Sequence, residues 1–330
     1  MPASNGSIKR LGERLKNGEA PTNEDLGVLL EWTGSFALPM QAFYLDLRSL
    51  LPLEGDKSSC RIKCLPSLLS KNLRIKAENQ MSTTGDITGL RIISRDMAQL
   101  ERLREELEKK LALYSAIGAD FVVLGCRIKD YIKFPSSTGY RAVHFRLSLL
   151  EKSSGKRYRM ELQLRTRREH AWAQAVETVD ALRRIDFKHD ALDGFFCLLG
   201  DALARRDGVF MPAQEGETIR KLVELDRLNH YIQDLEEFDG GSFRSVGNSE
   251  DARGNWHLLG ADMASKEKSC ERFEDLCSAW EKYKGKALEG SQRILVFTRD
   301  PDCISDLYRA YCPSEDMGLF SEILEIVGRN

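Results

Sequence analysis

The chain has 330 residues, 42% of them apolar and 30% charged, which is the make-up of a soluble globular protein of two domains or of one with a large extension. No run of 18 apolar residues occurs and Met1–Lys16 lacks an apolar signal core, so a cytoplasmic protein with no membrane-spanning helix is expected. The net charge of −2 hides an uneven spread: residues 121–190 hold 15 Lys/Arg against 8 Asp/Glu, and residues 191–330 hold 17 against 27. A basic block followed by an acidic one points to an anionic ligand in the middle of the chain, with an ordinary solvated surface as the plainer alternative.

In chain order, residues 1–50 read as mostly helical, with apolar positions at Leu26, Leu29, Leu30, Trp32, Phe43 and Leu47 and breaks near Gly34 and Pro39. Asp86 opens a buried strand, Ile87 to Ile93, and Met97 to Tyr114 carries Leu at helical spacing. Phe121 to Leu124 begins another strand, and Asp130 to Gly139 is a loop containing Pro135. Two strands with strict alternation follow. Val143, Phe145, Leu147 and Leu149 oppose Ala142, His144, Arg146 and Ser148; Tyr158, Met160, Leu162 and Leu164 oppose Arg159, Glu161, Gln163 and Arg165. The turn at Ser153-Ser154-Gly155 would join them as an antiparallel hairpin, with one apolar face and one polar, cationic face holding His144 and Glu161. A solvated outer face would show the same alternation.

Thr166-Arg-Arg-Glu169 is a capping box that starts a helix carrying His170, Trp172 and Glu177. Helices are then expected over Asp190–Arg206 and Ile219–Phe238, a Gly/Ser-rich linker over Asp239–Asn255, a strand over Trp256–Leu259, a helix over Glu267–Tyr283, a strand over Arg293–Thr298, and more helix. The expected class is α+β: a mixed central sheet flanked by helices. The divisions are a helical segment at 1–50, a main domain at 51–190, a helical connector at 191–240 and a small α/β domain at 241–330. The eight cysteines form no C-x-x-C pair and the five histidines are scattered, so no zinc site is expected and most cysteines read as small buried hydrophobes.

Four motifs carry chemistry. Arg61 and Lys63, at i and i+2, point one way from an extended chain, and Ser67 and Lys71, at i and i+4, share a helix face. Asp86-Ile-Thr-Gly-Leu-Arg91 places a carboxylate at a strand edge. Asp130-Tyr-Ile is followed by Pro135 and by Gly139-Tyr-Arg-Ala-Val-His144, where the glycine frees the backbone beside a ring able to stack on a purine. Glu161-Leu-Gln-Leu-Arg-Thr166 adds a second carboxylate. Taken singly, each has a bland reading: a turn aspartate, an exposed glutamate, a basic helix start, a core tyrosine and histidine.

In this order and spacing, the motifs resemble those of the RelA/SpoT alarmone synthetases, over roughly residues 55–185. The resemblance implies a nucleotidyltransferase-like synthetase domain. It implies magnesium-dependent transfer of pyrophosphate from ATP to the 3′-hydroxyl of GDP or GTP. Asp86 and Glu161 would then be the catalytic, magnesium-holding pair. Arg61, Lys63, Ser67, Lys71, Arg91, Arg127 and Lys129 would bind ATP, and Tyr140, His144 and Lys133 the acceptor nucleotide. Such chemistry needs charge neutralisation and in-line placement more than covalent help, and a hard cation suits a carboxylate pair.

Two departures bear on the acceptor: Ser136 stands where many members have lysine, and Thr138 where asparagine is common. Lys133 could compensate. No H-x-x-x-H-D cluster precedes residue 55, so the resemblance is to a synthetase-only form. Toxic relatives that pyrophosphorylate tRNA 3′-ends or an adenosine nucleotide are the alternative, as is an inactive nucleotide-binding module. No membrane partner is expected, and homo-oligomerisation is left open. The acidic tail is a candidate restraint on the basic face, or simply a solvated domain.

Overall fold

The computed structural model describes residues 4–52, 57–74, 81–114, 120–183, 194–246, 253–288, 293–312 and 317–328. Three helices open the chain: α1 (Asn5–Lys16), α2 (Asn23–Gly34) and α3 (Ala37–Leu50). Ser4 and Thr22 cap the first two through reciprocal side-chain bonds to Ser7 and Asp25. Pro39 sits in the first turn of α3, where it costs no intrahelical hydrogen bond.

The next elements are β1 (Lys57–Ile62), α4 (Leu65–Arg74), β2 (Thr88–Ser94), α5 (Met97–Leu113), β3 (Phe121–Asp130), β4 (Val143–Glu151) and β5 (Arg157–Thr166). Four helices follow: α6 (Arg167–Arg183), α7 (Phe195–Arg206), α8 (Glu215–Asn229) and α9 (Tyr231–Asp239). The chain ends with β6 (Arg244–Ser245), β7 (Trp256–Asp262), β8 (Glu267–Phe273), α10 (Leu276–Leu288), β9 (Ile294–Phe297), α11 (Ile304–Leu307) and α12 (Ser321–Val327).

Among the described residues, all nine strands form one mixed sheet in the order β3-β4-β5-β2-β1-β9-β7-β8-β6. β2 lies parallel to β5, and β6 to β8; the other neighbours are antiparallel. The fold is therefore α+β, with helices on both sheet faces. The alternation in β4 and β5 buries Phe145, Leu147, Leu149, Met160 and Leu162 in a core shared with residues of α1, α3 and α5. Trp256, Leu295 and Phe297 belong to that same core. The sheet thus runs without a break from the 51–190 stretch into 241–330, because β9 pairs with β1.

Two expected helices are corrected. Glu267–Tyr283 is a strand followed by a helix: Glu267–Phe273 pairs residue for residue with β7, and only Leu276–Leu288 is helical. Its charged composition fits a strand that is half-exposed along its whole length. Ile219–Phe238 is two helices, because His230 takes a left-handed conformation (φ 59°) that ends α8 and starts α9. The Asp190–Arg206 helix starts at Phe195, with 190–193 outside the described residues; the 239–255 linker contains β6, and its residues 247–252 are likewise outside. Of the cysteines, all free, only Cys60 and Cys64 are buried.

Candidate active site

Strand register builds the site. One transverse row crosses the sheet as Arg127, Arg146, Glu161, Gly89 and Arg61; the next row runs Lys129, His144, Gln163, Arg91 and Ser59. Side chains two apart on a strand share a face, so these rows are the polar face that alternation foretold. Glycine at position 89 leaves the floor open between Arg61 and Glu161. Asp86 stands in the turn just before β2, and Lys63, just beyond β1, is held by its backbone N–H donating to the Ile87 carbonyl at 2.8 Å.

The Lys63 and Lys71 ammoniums both reach Asp86 Oδ2, at 3.0 and 2.6 Å. Burial alone would raise the Asp86 carboxyl, but these two cations hold it well below the usual carboxylate range. Burial also pushes the Lys63 ammonium below its ordinary value, Asp86 opposing this and Lys71 and Arg61 adding repulsion. Glu161 accepts from Gln163 Nε2 at 2.8 Å, and its other oxygen faces His144 Nδ1 at 3.3 Å and Arg146 Nε at 3.5 Å. Burial works to raise Glu161 too, but His144, then Gln163, lower it to about 2, against repulsion from Asp86.

Asp86 Oδ1 is buried and, among the described residues, has no hydrogen-bond partner. A buried carboxylate oxygen without a donor is costly unless a cation meets it. Two carboxylates with one such oxygen are the donor set that a hard divalent ion takes when phosphates supply the rest. No group of three or more His, Cys, Asp or Glu able to hold a metal exists among the described residues.

Residues 60–180 match the family model described as the region found in RelA/SpoT proteins. The chain carries a RelA/SpoT region. Among solved structures, it is similar to the small alarmone synthetase 1 from Bacillus subtilis bound to its product pppGpp, at 23% identity and a TM-score of 0.41, over 52% of this chain and 89% of that one. It is also similar to a GTP pyrophosphokinase family protein from Streptococcus pneumoniae, at 17% identity and a TM-score of 0.40, over 62% of this chain and 94% of that one. No curated protein matches the chain.

Within the RelA/SpoT region, Arg61, Lys63, Asp86, Arg91 and Glu161 line one cavity with Gly89, Leu90 and Gln163. Lys71 joins it through Asp86. Ser67 instead accepts a bond from the Cys64 thiol at 2.9 Å. Arg127 and Lys129 stand exposed on edge strand β3 and do not line the cavity; Lys129 Nζ lies 4.4 Å from the centre of the Tyr131 ring. Tyr140 and His144 are bonded to each other, Oη to Nε2 at 2.6 Å, and Arg165 donates to the Tyr140 oxygen at 3.0 Å. Lys133 is exposed beside Phe134.

One lining residue comes from outside the RelA/SpoT region. Tyr308, 1% exposed, lies with its ring 5.9 Å from the Arg61 guanidinium carbon and 5.2 Å from that of Arg91, and bonds Ser59 Oγ at 2.8 Å. Arg91 donates to the Leu307 carbonyl at 2.8 Å, and His170 Nε2 to the Asp306 carbonyl at 2.8 Å, as its neutral form can. Burial, with Arg91 and Arg165 nearby, holds His170 well below its ordinary pKa, hence neutral. Free space in the cavity is about 30 Å³, room for a water or two, against the several hundred a nucleotide cleft needs. Sequence reasoning missed Tyr308 and the lining role of Gln163. The second shares the period-2 face of Glu161 and was legible there; the first carries no local signal.

Proposed function

We propose that the site transfers the β,γ-pyrophosphoryl group of ATP to the 3′-hydroxyl of a guanosine nucleotide. The observation that carries this is one cavity in a RelA/SpoT region lined by Arg61, Lys63, Arg91, half-buried Asp86 and buried Glu161, with Lys63 and Lys71 paired to Asp86. On this reading the lysines exchange Asp86 for the ATP phosphates, and Arg61 and Arg91 take the purine between their planes. Asp86 and Glu161 would hold magnesium, which when bound supplies further neutralisation of the phosphate charge. Tyr140 and His144 orient the acceptor so that its 3′-oxygen meets the β-phosphorus in line. The bond from the β-phosphorus to the oxygen bridging it to the α-phosphorus breaks, AMP leaves with that oxygen, and the hydroxyl proton passes to solvent water.

The same reading makes Tyr308 a restraint. Its ring fills the gap between Arg61 and Arg91 that a purine would use, so ATP must displace it. This would give a restraint by the C-terminal residues, one of the two readings weighed for the acidic tail, a steric form.

A second reading, a polynucleotide 3′-end as acceptor, is favoured by one feature. Beside the acceptor loop, exposed Arg127, Lys129, Lys133, Phe134 and Arg146 mix cations with an aromatic ring, the pattern that grips single strands.

The test is incubation of the purified protein with magnesium, γ-labelled ATP and, in parallel, GDP, GTP or deacylated tRNA. Label on guanosine nucleotide, lost in Asp86→Ala and Glu161→Ala, is the expected result. Label on tRNA would move the acceptor to the second reading. Label on nothing, for both the parent and a folded Tyr308→Ala variant, would sink the transferase.

A further inference from the structure

The acceptor loop, residues 131–140, is closed upon itself. Gly139 N–H donates to the Ser136 carbonyl at 3.0 Å, Ser136 N–H to the Tyr140 carbonyl at 3.2 Å, and the Ser136 and Thr138 hydroxyls bond at 2.7 Å. What fixes this turn in space lies beyond residue 180. Gly139 has φ 86°, and a Cβ there would stand 2.8 Å from Cys197 Cα and 2.9 Å from the Phe196 carbonyl oxygen. A Cβ on Gly200 would stand 2.5 Å from the Gly139 carbonyl oxygen. Two glycines on separate elements thus let backbone rest on backbone.

The loop's other end is gripped by the same helix. Arg141, 5% exposed, donates through Nη1 to the Ile132 carbonyl at 3.1 Å and through Nη2 to Asp201 Oδ1 of α7 at 2.9 Å. Behind the Tyr140 ring lies Trp172, 5.9 Å away between centroids, and Trp172 Nε1 donates to the Phe196 carbonyl at 2.6 Å. That carbonyl, which faces Gly139, belongs to the first residues of α7.

We infer that α7 positions the acceptor loop, with Gly200 and Asp201 as positioning residues that set acceptor binding through the Gly139 backbone and Arg141. The inference rests on the acceptor assignment of Tyr140 proposed above. Neither residue touches the cavity that holds Asp86 and Glu161, so their effect falls on the acceptor side.

The test uses the full chain with Gly200→Ala, Asp201→Ala and Asp201→Asn. Hydrogen exchange is read at the amides of Gly139 and Tyr140 and, as a control, along β5; GDP binding is read by calorimetry. Gly200→Ala and Asp201→Ala are expected to speed exchange in the loop at least tenfold with β5 unchanged, and to weaken GDP at least fivefold. Asp201→Asn, which keeps an acceptor for Arg141, is expected to recover most of the GDP affinity. Unchanged loop exchange, or equal acceleration in β5, would overturn the inference, the latter marking general loss of packing. A parent protein that binds no GDP overturns the acceptor half, while the exchange experiment still decides the brace.

Discussion

Asp86, in the turn before β2, and Glu161, on the adjacent β5, have their charges secured by different partners, Asp86 by two ammoniums and Glu161 by His144 and Gln163. Both are anionic at any physiological pH. Because the folded value of Glu161 is depressed to about 2, its stabilising contribution is full above its ordinary range and is lost as pH falls towards 2. Asp86→Asn removes a charge that the proposed transition state needs, and a loss of roughly 10²–10³-fold or more in transfer rate is expected, measured against a parent assayed alongside. Glu169 behaves oppositely: burial raises its carboxyl to about 8. The unfolded chain releases this proton first, so stability falls as pH rises from the ordinary glutamate range to about 8. Glu169→Gln keeps the capping bond to Thr166, seen here at 2.9 Å, without that penalty. Its melting temperature is expected to match the parent near pH 4.5 and exceed it by roughly 2–4 °C or more at pH 8.5; an equal or lower value at pH 8.5 counts against the buried charge.

At the scale of elements, the segment from α11 to Tyr311 is the feature with most consequence. It is held by the Leu307 and Asp306 carbonyls, by the Lys57–Asp306 ion pair, and by Ala310 N–H donating to Gln174 Oε1 at 3.3 Å. Losing the Tyr308 ring removes two cation–ring contacts and a hydroxyl bond, together worth about 1–3 kcal/mol. The apparent affinity for ATP in Tyr308→Ala is therefore expected to rise roughly tenfold, read by binding of a non-hydrolysable analogue; no rise would show that the ring does not compete with nucleotide. Period-2 alternation made β4 and β5 legible in the sequence, and the Thr-x-x-Glu spacing made the Thr166–Glu169 cap legible, because both are patterns of neighbouring residues. Such patterns failed at Glu267–Phe273, whose half-exposed strand lacks an apolar face, and at His230, where a non-glycine residue takes the left-handed turn. Tyr308 was illegible for another reason: its segment reaches the site through the β9–β1 pairing and through bonds to Arg91, His170 and Gln174, all far from it in the chain.

At the scale of the whole molecule, β9 covers the edge of β1, so the C-terminal residues complete the sheet that holds Arg61. Deleting 240–330 would bare that edge and expose Cys60 and Ile62, both fully buried. The truncated chain is expected to aggregate and not to behave as an unrestrained enzyme; a soluble, monodisperse product in size-exclusion chromatography would contradict this. Restraint must therefore be tested by point variants. The measurement that reaches the central claim most directly is the adenosine product formed from ATP by the parent and by Tyr308→Ala, with magnesium and GDP present. AMP is expected in amounts equal to the pyrophosphorylated acceptor, faster in Tyr308→Ala and slower by roughly 10²-fold or more in Asp86→Asn. ADP as the product, or no turnover by either folded protein with any acceptor, would contradict it.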